Sequence, residues 1–191
     1  KNLKEYTFDD LKIELKEFVT YYIPKDKNSN FPTSKFYELW ESIFYSQNYN
    51  MKNFVHKDFE FVNLFFLENY ESHLQCGIID FQSAFKGFIG WDLISLLENP
   101  RIDFTRDYND KLIEYFYDNT SIIENFNTFL EQYYVLSLAR QTRLLGRWRK
   151  LLSTNNDNKY LDYLKITKSR TIATLNNIKN YELRSMYKNY L

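Results

Sequence analysis

The sequence predicts an α+β fold that is mostly α, a helical body with a small β-hairpin insert. Apolar residues recur at helical spacing over about 8–48 and again over about 90–187. Between these stretches, residues 53–82 hold apolar runs of only four or five residues, which suit buried strands better than helices. A length of 191 residues without internal repeats fits one domain, expected over 1–191, with enough chain to bury a core.

Thr7 reads as an N-cap, with Asp9 and Asp10 in the first turn. Phe8, Leu11, Leu15, Phe18, Val19 and Tyr22 then predict a helix over 8–22, ended by Pro24. Lys25 to Thr33 reads as a polar loop, and a second helix is expected from Ser34 to Gln47. Asn53–His56, Asn63–Leu67 and Cys76–Ile79 are the short apolar runs, the last two separated by polar residues that suggest a hairpin. Trp91–Glu98 predicts a helix stopped by Asn99-Pro100, and Tyr108–Tyr117 predicts another. Ser121-Ile-Ile-Glu124 has capping-box spacing and should open a long helix reaching Leu138 or, with a break at Gly146, Leu152. Ser153–Asn158 reads as a gap, and Tyr160 to about Tyr187 as a final helical segment.

Composition narrows the function. Twenty-five basic residues balance 25 acidic ones, and a pI near 6.9 counts against nucleic acid or an anionic membrane as the main partner. The mean hydropathy is −0.55, and no apolar run approaches the ~18 residues needed to span a bilayer. Cys76 is the only cysteine, which excludes an intramolecular disulfide and a thiolate-cluster metal site and fits a reducing compartment. With no signal-peptide core after Lys1, a cytoplasmic location is expected. The chain opens on Lys1 rather than Met, so further sequence upstream is expected. Asn (20), Phe (17) and Tyr (17) are abundant while Ala (3) and Gly (4) are scarce; their even spread reads as the codon bias of an AT-rich genome.

The insert holds the unusual chemistry. His56-Lys57-Asp58-Phe59-Glu60-Phe61-Val62-Asn63 is followed by Ile78-Ile79-Asp80-Phe81-Gln82 and then Trp91-Asp92. His56, Asp58, Asn63 and Asp80 stand at or just after the ends of apolar runs, where a fold presents functional groups on loops. Phosphoryl transfer needs such a set: one carboxylate to orient the attacking hydroxyl and take its proton, an amide oxygen and a second carboxylate to hold Mg²⁺. A chance His-x-Asp-x4-Asn is expected in roughly one chain in a hundred of this composition.

His56-x-Asp58-x4-Asn63, Ile79-Asp80-Phe81-Gln82 and Trp91-Asp92-Leu93 resemble the aminoglycoside phosphotransferase and choline kinase group of the protein-kinase-like superfamily. The stretch from Gly77 to Leu97 most resembles the bacterial branch containing the N-acetylmuramate/N-acetylglucosamine anomeric kinases, as do Leu138–Gly146 and Lys159–Leu164. The likeness runs from about residue 8 to 165. It implies a kinase-like carboxy-terminal lobe, with Asp58 as catalytic base, Asn63 and Asp80 as Mg²⁺ and nucleotide ligands, and His56 and Asp92 bracing the catalytic loop. ATP and Mg²⁺ are the implied cofactors, and a hydroxyl of an amino sugar or similar small molecule the implied acceptor.

Two departures stand out. Glu60 occupies the position where many relatives carry a second His, which places an extra acid near the phosphates. The glycine-rich nucleotide lobe, with its strand lysine and helical glutamate, has no counterpart before His56. The resemblance is therefore to the carboxy-terminal lobe alone, the nucleotide lobe being cut away, separately encoded or lost. The apolar face that would meet it, around Phe59, Phe61 and residues 64–67 and 77–79, is expected to be exposed and to favour self-association. The alternative reading is a non-catalytic pseudokinase remnant serving as a binding or scaffold module.

Blander readings compete elsewhere. His73 falls in a polar turn and is expected at the surface. Arg140, Arg143, Arg147 and Lys150 share a helical face, read as solvated or, alternatively, as a cationic wall for an anionic substrate. Trp40, Trp91 and Trp148 are expected as core or pocket-lining bulk, with sugar stacking by one of them as the alternative.

Overall fold

Thr7 and Asp10 close the first helix reciprocally: the Asp10 amide donates to the Thr7 hydroxyl at 3.5 Å, and the Thr7 amide to the Asp10 carboxylate at 3.0 Å. The computed structural model describes residues 2–24, 30–102, 104–122, 124–155 and 157–191. In chain order its elements are α1 (Phe8–Glu17), running on into a π-helical turn (Phe18–Tyr22), α2 (Thr33–Ser46), β1 (Asn53–Val55), β2 (Leu64–Phe66), β3 (Cys76–Ile78), β4 (Phe85–Gly87), α3 (Trp91–Leu97), α4 (Arg106–Asp118), α5 (Phe126–Asn155), α6 (Lys159–Leu175) and α7 (Tyr181–Lys188). The class is α+β, mostly α. Within the chain expected as one domain over 1–191, internal contacts group into two compact units, Lys1–Tyr6 with Asn50–Ile122, and Thr7–Tyr49 with Ile123–Leu191.

The second unit is helical. Leu11 and Leu15 of α1, Phe36 and Trp40 of α2, and Phe129 and Tyr133 of α5 are fully buried, so aromatic rings supply much of the core volume. The break expected at Gly146 does not occur: α5 is continuous from Phe126 to Asn155. Gly146 instead marks a close crossing, since a Cβ there would lie 2.2 Å from the Glu17 carbonyl carbon. The expected capping box at Ser121–Glu124 includes Ile123, which lies outside the described residues. The Asn125 side chain accepts from the Thr128 amide at 3.1 Å, which fits a helix opening at Phe126. The single last segment expected over 160–187 is two helices, with Asn180 capping α7 through the Leu183 amide at 2.8 Å. Residues 25–29 of the loop expected over 25–33, and Asn156 of the gap expected over 153–158, also lie outside the described residues.

The first unit carries both sheets. β2 and β3 form the expected antiparallel hairpin, with Leu64 opposite Ile78 and Phe66 opposite Cys76. Phe65, Phe66 and Ile78 are exposed, against the burial that the short apolar runs suggested and in line with the open apolar face expected over 64–67 and 77–79. β1 pairs antiparallel with β4, Val55 opposite Phe85, and β4 is a strand that the sequence reading missed. Residues 4–6 run along β4, where the Lys86 amide donates to the Lys4 carbonyl at 2.8 Å and the Tyr6 amide to the Lys86 carbonyl at 2.9 Å. Tyr6, Phe85 and Trp91 pack ring against ring at 4.6–5.1 Å, seating α3 against this sheet. α4 opens at Arg106 rather than Tyr108, with the Thr105 hydroxyl accepting from the Tyr108 amide.

Candidate functional site

The loop from His56 to Asn63 leaves β1 and ends at the start of β2, and a set of hydrogen bonds holds its shape. Asp92, in the first turn of α3, accepts from the His56 amide at 2.8 Å and the Lys57 amide at 3.0 Å. Ser95, one turn further along α3, donates its hydroxyl to the Lys57 carbonyl at 3.0 Å. The Asn63 side-chain amide donates to the Asp58 carbonyl at 2.8 Å. The His56 ring, buried at 3% exposure, hydrogen-bonds through Nε2 to the Ile79 carbonyl at 2.9 Å. A carbonyl only accepts, so Nε2 carries the proton in this pairing. The Ile79 amide donates to the Asn63 carbonyl at 3.1 Å, extending the hairpin ladder by one bond beyond Leu64–Ile78.

That last bond places Asn63 and Asp80 at the same end of the hairpin, and His56 joins that end to the loop carrying Asp58. Two residues of the site adopt the left-handed conformation that side chains disfavour, Lys57 (φ 78°) and Asp80 (φ 69°). Each costs on the order of 1–3 kcal/mol and persists where the surroundings over-determine it. At Lys57 the surroundings are Asp92 and Ser95.

Electrostatics offset the acid that the sequence singled out. Glu60 is paired with Arg101, just after α3, so its charge does not stand alone beside Asp58. Glu98, almost fully buried, pairs with Arg106 at 3.3 Å. Among the described residues, neither the Asp58 nor the Asp80 carboxylate makes a hydrogen bond or ion pair, and Asp80 is exposed. With its NH₂ tied to Asp58, Asn63 has its side-chain oxygen left for another partner. An amide oxygen and a carboxylate are hard donors that suit Mg²⁺, which takes one or two protein ligands and fills its shell with water and phosphate oxygens. No group of three or more His, Cys, Asp and Glu able to hold a metal ion by itself occurs among the described residues.

The other candidates fall outside this site. His73 is exposed, as expected. Trp40, Trp91 and Trp148 are all buried, so none offers a face for stacking, and the Trp148 indole donates to Thr167 at 3.0 Å. The basic face of α5 is neither an open wall nor a merely solvated surface. Arg140 is buried, Arg143 pairs with Glu14 at 3.7 Å, and Arg147 and Lys150 pair with Glu17 at 3.1 and 3.9 Å. Among the described residues no helix is long and apolar enough to cross a membrane. Sequence reasoning missed Arg101 and Ser95. Only the three-residue spacing of Asp92 and Ser95 on one helix face could have pointed to the second.

No family model matches the chain. It is similar to the N-acetylmuramate/N-acetylglucosamine kinase of Caulobacter vibrioides, 22% identical over 162 residues that cover 83% of this chain and 44% of that protein. It is also similar to the kinase of the same name from Neisseria meningitidis serogroup B, 23% identical over 167 residues covering 83% of this chain and 48% of that protein. The chain thus spans less than half the length of either relative. These distant similarities support a kinase relationship.

Proposed function

We propose that this chain is the catalytic-loop lobe of an ATP-dependent small-molecule kinase, of the protein-kinase-like, aminoglycoside phosphotransferase type. The observation that carries the reading is the pinned loop: Asp92 holds the His56 and Lys57 amides that lead toward Asp58, and Asn63 holds the carbonyl of the peptide after it. A carboxylate fixed in this way suits the orientation of an acceptor hydroxyl.

In the proposed reaction the acceptor oxygen forms a bond to the γ-phosphorus of ATP as the bond to the β–γ bridging oxygen breaks. Asp58 accepts the hydroxyl proton and ADP leaves. Bound Mg²⁺ would offset charge on the phosphates, and the Asn63 oxygen and Asp80 carboxylate are the residues that would hold it. His56 and Asp92 brace the loop. The acceptor class is a hydroxyl of an amino sugar or similar small molecule, a reading supported by the names of the two relatives.

The proposed partner is a nucleotide-binding lobe, in the same chain or a separate one, that docks on the exposed face of β2 and β3. Phe66 and Ile78, 71% and 45% exposed on one face of the hairpin, support that assignment, and without the lobe the same face favours self-association. The test is ATP turnover against a panel of amino sugars and aminoglycosides, for the 191-residue chain alone and joined to any lobe encoded upstream. Phosphorylated acceptor that disappears in Asp58→Asn supports the proposal. Its absence in every form favours the scaffold reading.

A further inference from the structure

We propose that Ser95 is a positioning residue for Asp58, a role that rests on the kinase reading above and that no motif in the sequence marks. Ser95 is fully buried on α3, and its hydroxyl leaves its own helix to donate to the Lys57 carbonyl at 3.0 Å. A buried serine in a helix commonly bonds back to the carbonyl one turn earlier, so spending the donor on a loop 38 positions away in sequence is a specific use of it.

The peptide it holds is the one that matters. Lys57 sits at φ 78°, a rotation that a residue with a Cβ adopts only under constraint. Asp92 takes the amide on one side of the Lys57 Cα, at 3.0 Å, and Ser95 takes the carbonyl on the other. That carbonyl belongs to the peptide plane leading into Asp58. The plane leaving Asp58 is held by Asn63, whose amide donates to the Asp58 carbonyl. With both flanking planes held, only the side-chain torsions of Asp58 remain to move its carboxylate. Without Ser95, the Lys57–Asp58 plane can turn about the bonds on either side of it, with Asp92 gripping only the far side of Lys57. Placement of a reacting group is sensitive to such shifts, a displacement of about 1 Å costing up to about a hundredfold in rate.

The test compares wild type, Ser95→Ala and Ser95→Thr in the isotope-labelled 191-residue chain by ¹⁵N relaxation, with turnover measured in whichever form is active. In Ser95→Ala we expect millisecond exchange broadening at the Asp58 and Phe59 amides, at least doubling their transverse relaxation, while the Leu64 and Ile78 amides of the hairpin stay at wild-type values. kcat should fall about tenfold or more with the ATP KM within about threefold, and Ser95→Thr, which keeps the hydroxyl, should restore both. Wild-type relaxation at Asp58 in Ser95→Ala, or a change spread evenly across the unit, overturns the proposal. If no form transfers phosphate, the kinase reading fails by itself, and the relaxation measurement still decides whether Ser95 holds this peptide.

Discussion

The Asn63 side-chain amide donates to the Asp58 carbonyl at 2.8 Å, so one asparagine both closes the loop on Asp58 and has its oxygen free to turn elsewhere. Asn63→Ala removes the loop bond and that oxygen together. In wild type, Mn²⁺ with a nucleotide should broaden the amide signals around Asn63 and Asp80. In Asn63→Ala that broadening should weaken at least tenfold in metal concentration. Equal broadening in both proteins would remove Asn63 from the metal site.

Asp58→Asn should separate chemistry from stability. The Asp58 carboxylate makes no hydrogen bond or ion pair among the described residues, so the melting temperature should hardly move. Turnover should fall by roughly 10²–10⁴, the usual contribution of a positioned general base. Turnover at the wild-type rate would end the assignment.

Asp92→Ala should cost stability as well as turnover. It leaves the His56 and Lys57 amides without their acceptor, at about 1–3 kcal/mol for each buried group left unmade. Urea denaturation gives the total, and Asp92→Asn, which keeps one acceptor oxygen, should recover part of it.

Gly146→Ala tests the crossing of α5 with the end of α1. Alanine is the better helix former by about 1 kcal/mol. The added Cβ, however, would meet the Glu17 backbone at 2.2 Å, which the helices cannot absorb without moving apart. We expect net destabilisation of about 1–3 kcal/mol, read from the urea midpoint. A stabilised variant would show that the crossing is looser than described.

Alkaline pH should unfold the helical unit through its buried tyrosines. Thr142 spends its proton on the Leu138 carbonyl, so in their shared hydrogen bond Tyr187 is the donor and must stay protonated. Burial pushes the Tyr187 and Tyr49 hydroxyls well above their ordinary value of 10. The unfolded chain releases these protons near pH 10 while the folded chain keeps them. The stabilisation is therefore fully present below pH 10 and is lost as pH rises toward the folded-state values, by about 1.4 kcal/mol per pH unit for each tyrosine. Tyr187→Phe should flatten that slope, and chemical denaturation between pH 9 and 11 measures it.

The helical elements were legible because each carries its own signal. The apolar spacing of α1 and α2 and the Thr7 cap are local properties of the chain, and they survive folding unchanged. The hairpin was legible from two apolar runs separated by polar residues. β4 was not, since three residues give no period to read, and its pairing with β1 comes from a stretch 30 residues away. Gly146 misled for a similar reason. A glycine in a helix reads as weakness until the neighbouring backbone that requires it is in view.

His56, Asp58, Asn63 and Asp80 could be singled out in the sequence because they stand at the ends of short apolar runs, where a fold presents groups on loops, whereas Asp92 was marked only by the family resemblance. Their connections could not. The bonds from Asp92 and Ser95 to Lys57, from His56 to Ile79 and from Glu60 to Arg101 join positions 23 to 41 residues apart. The sequence by itself determined which groups are available, through local spacing and composition. Only the tertiary structure decided which carboxylates are tied down or charge-paired and which are left open, because a hydrogen bond depends on separations in space that no local pattern encodes.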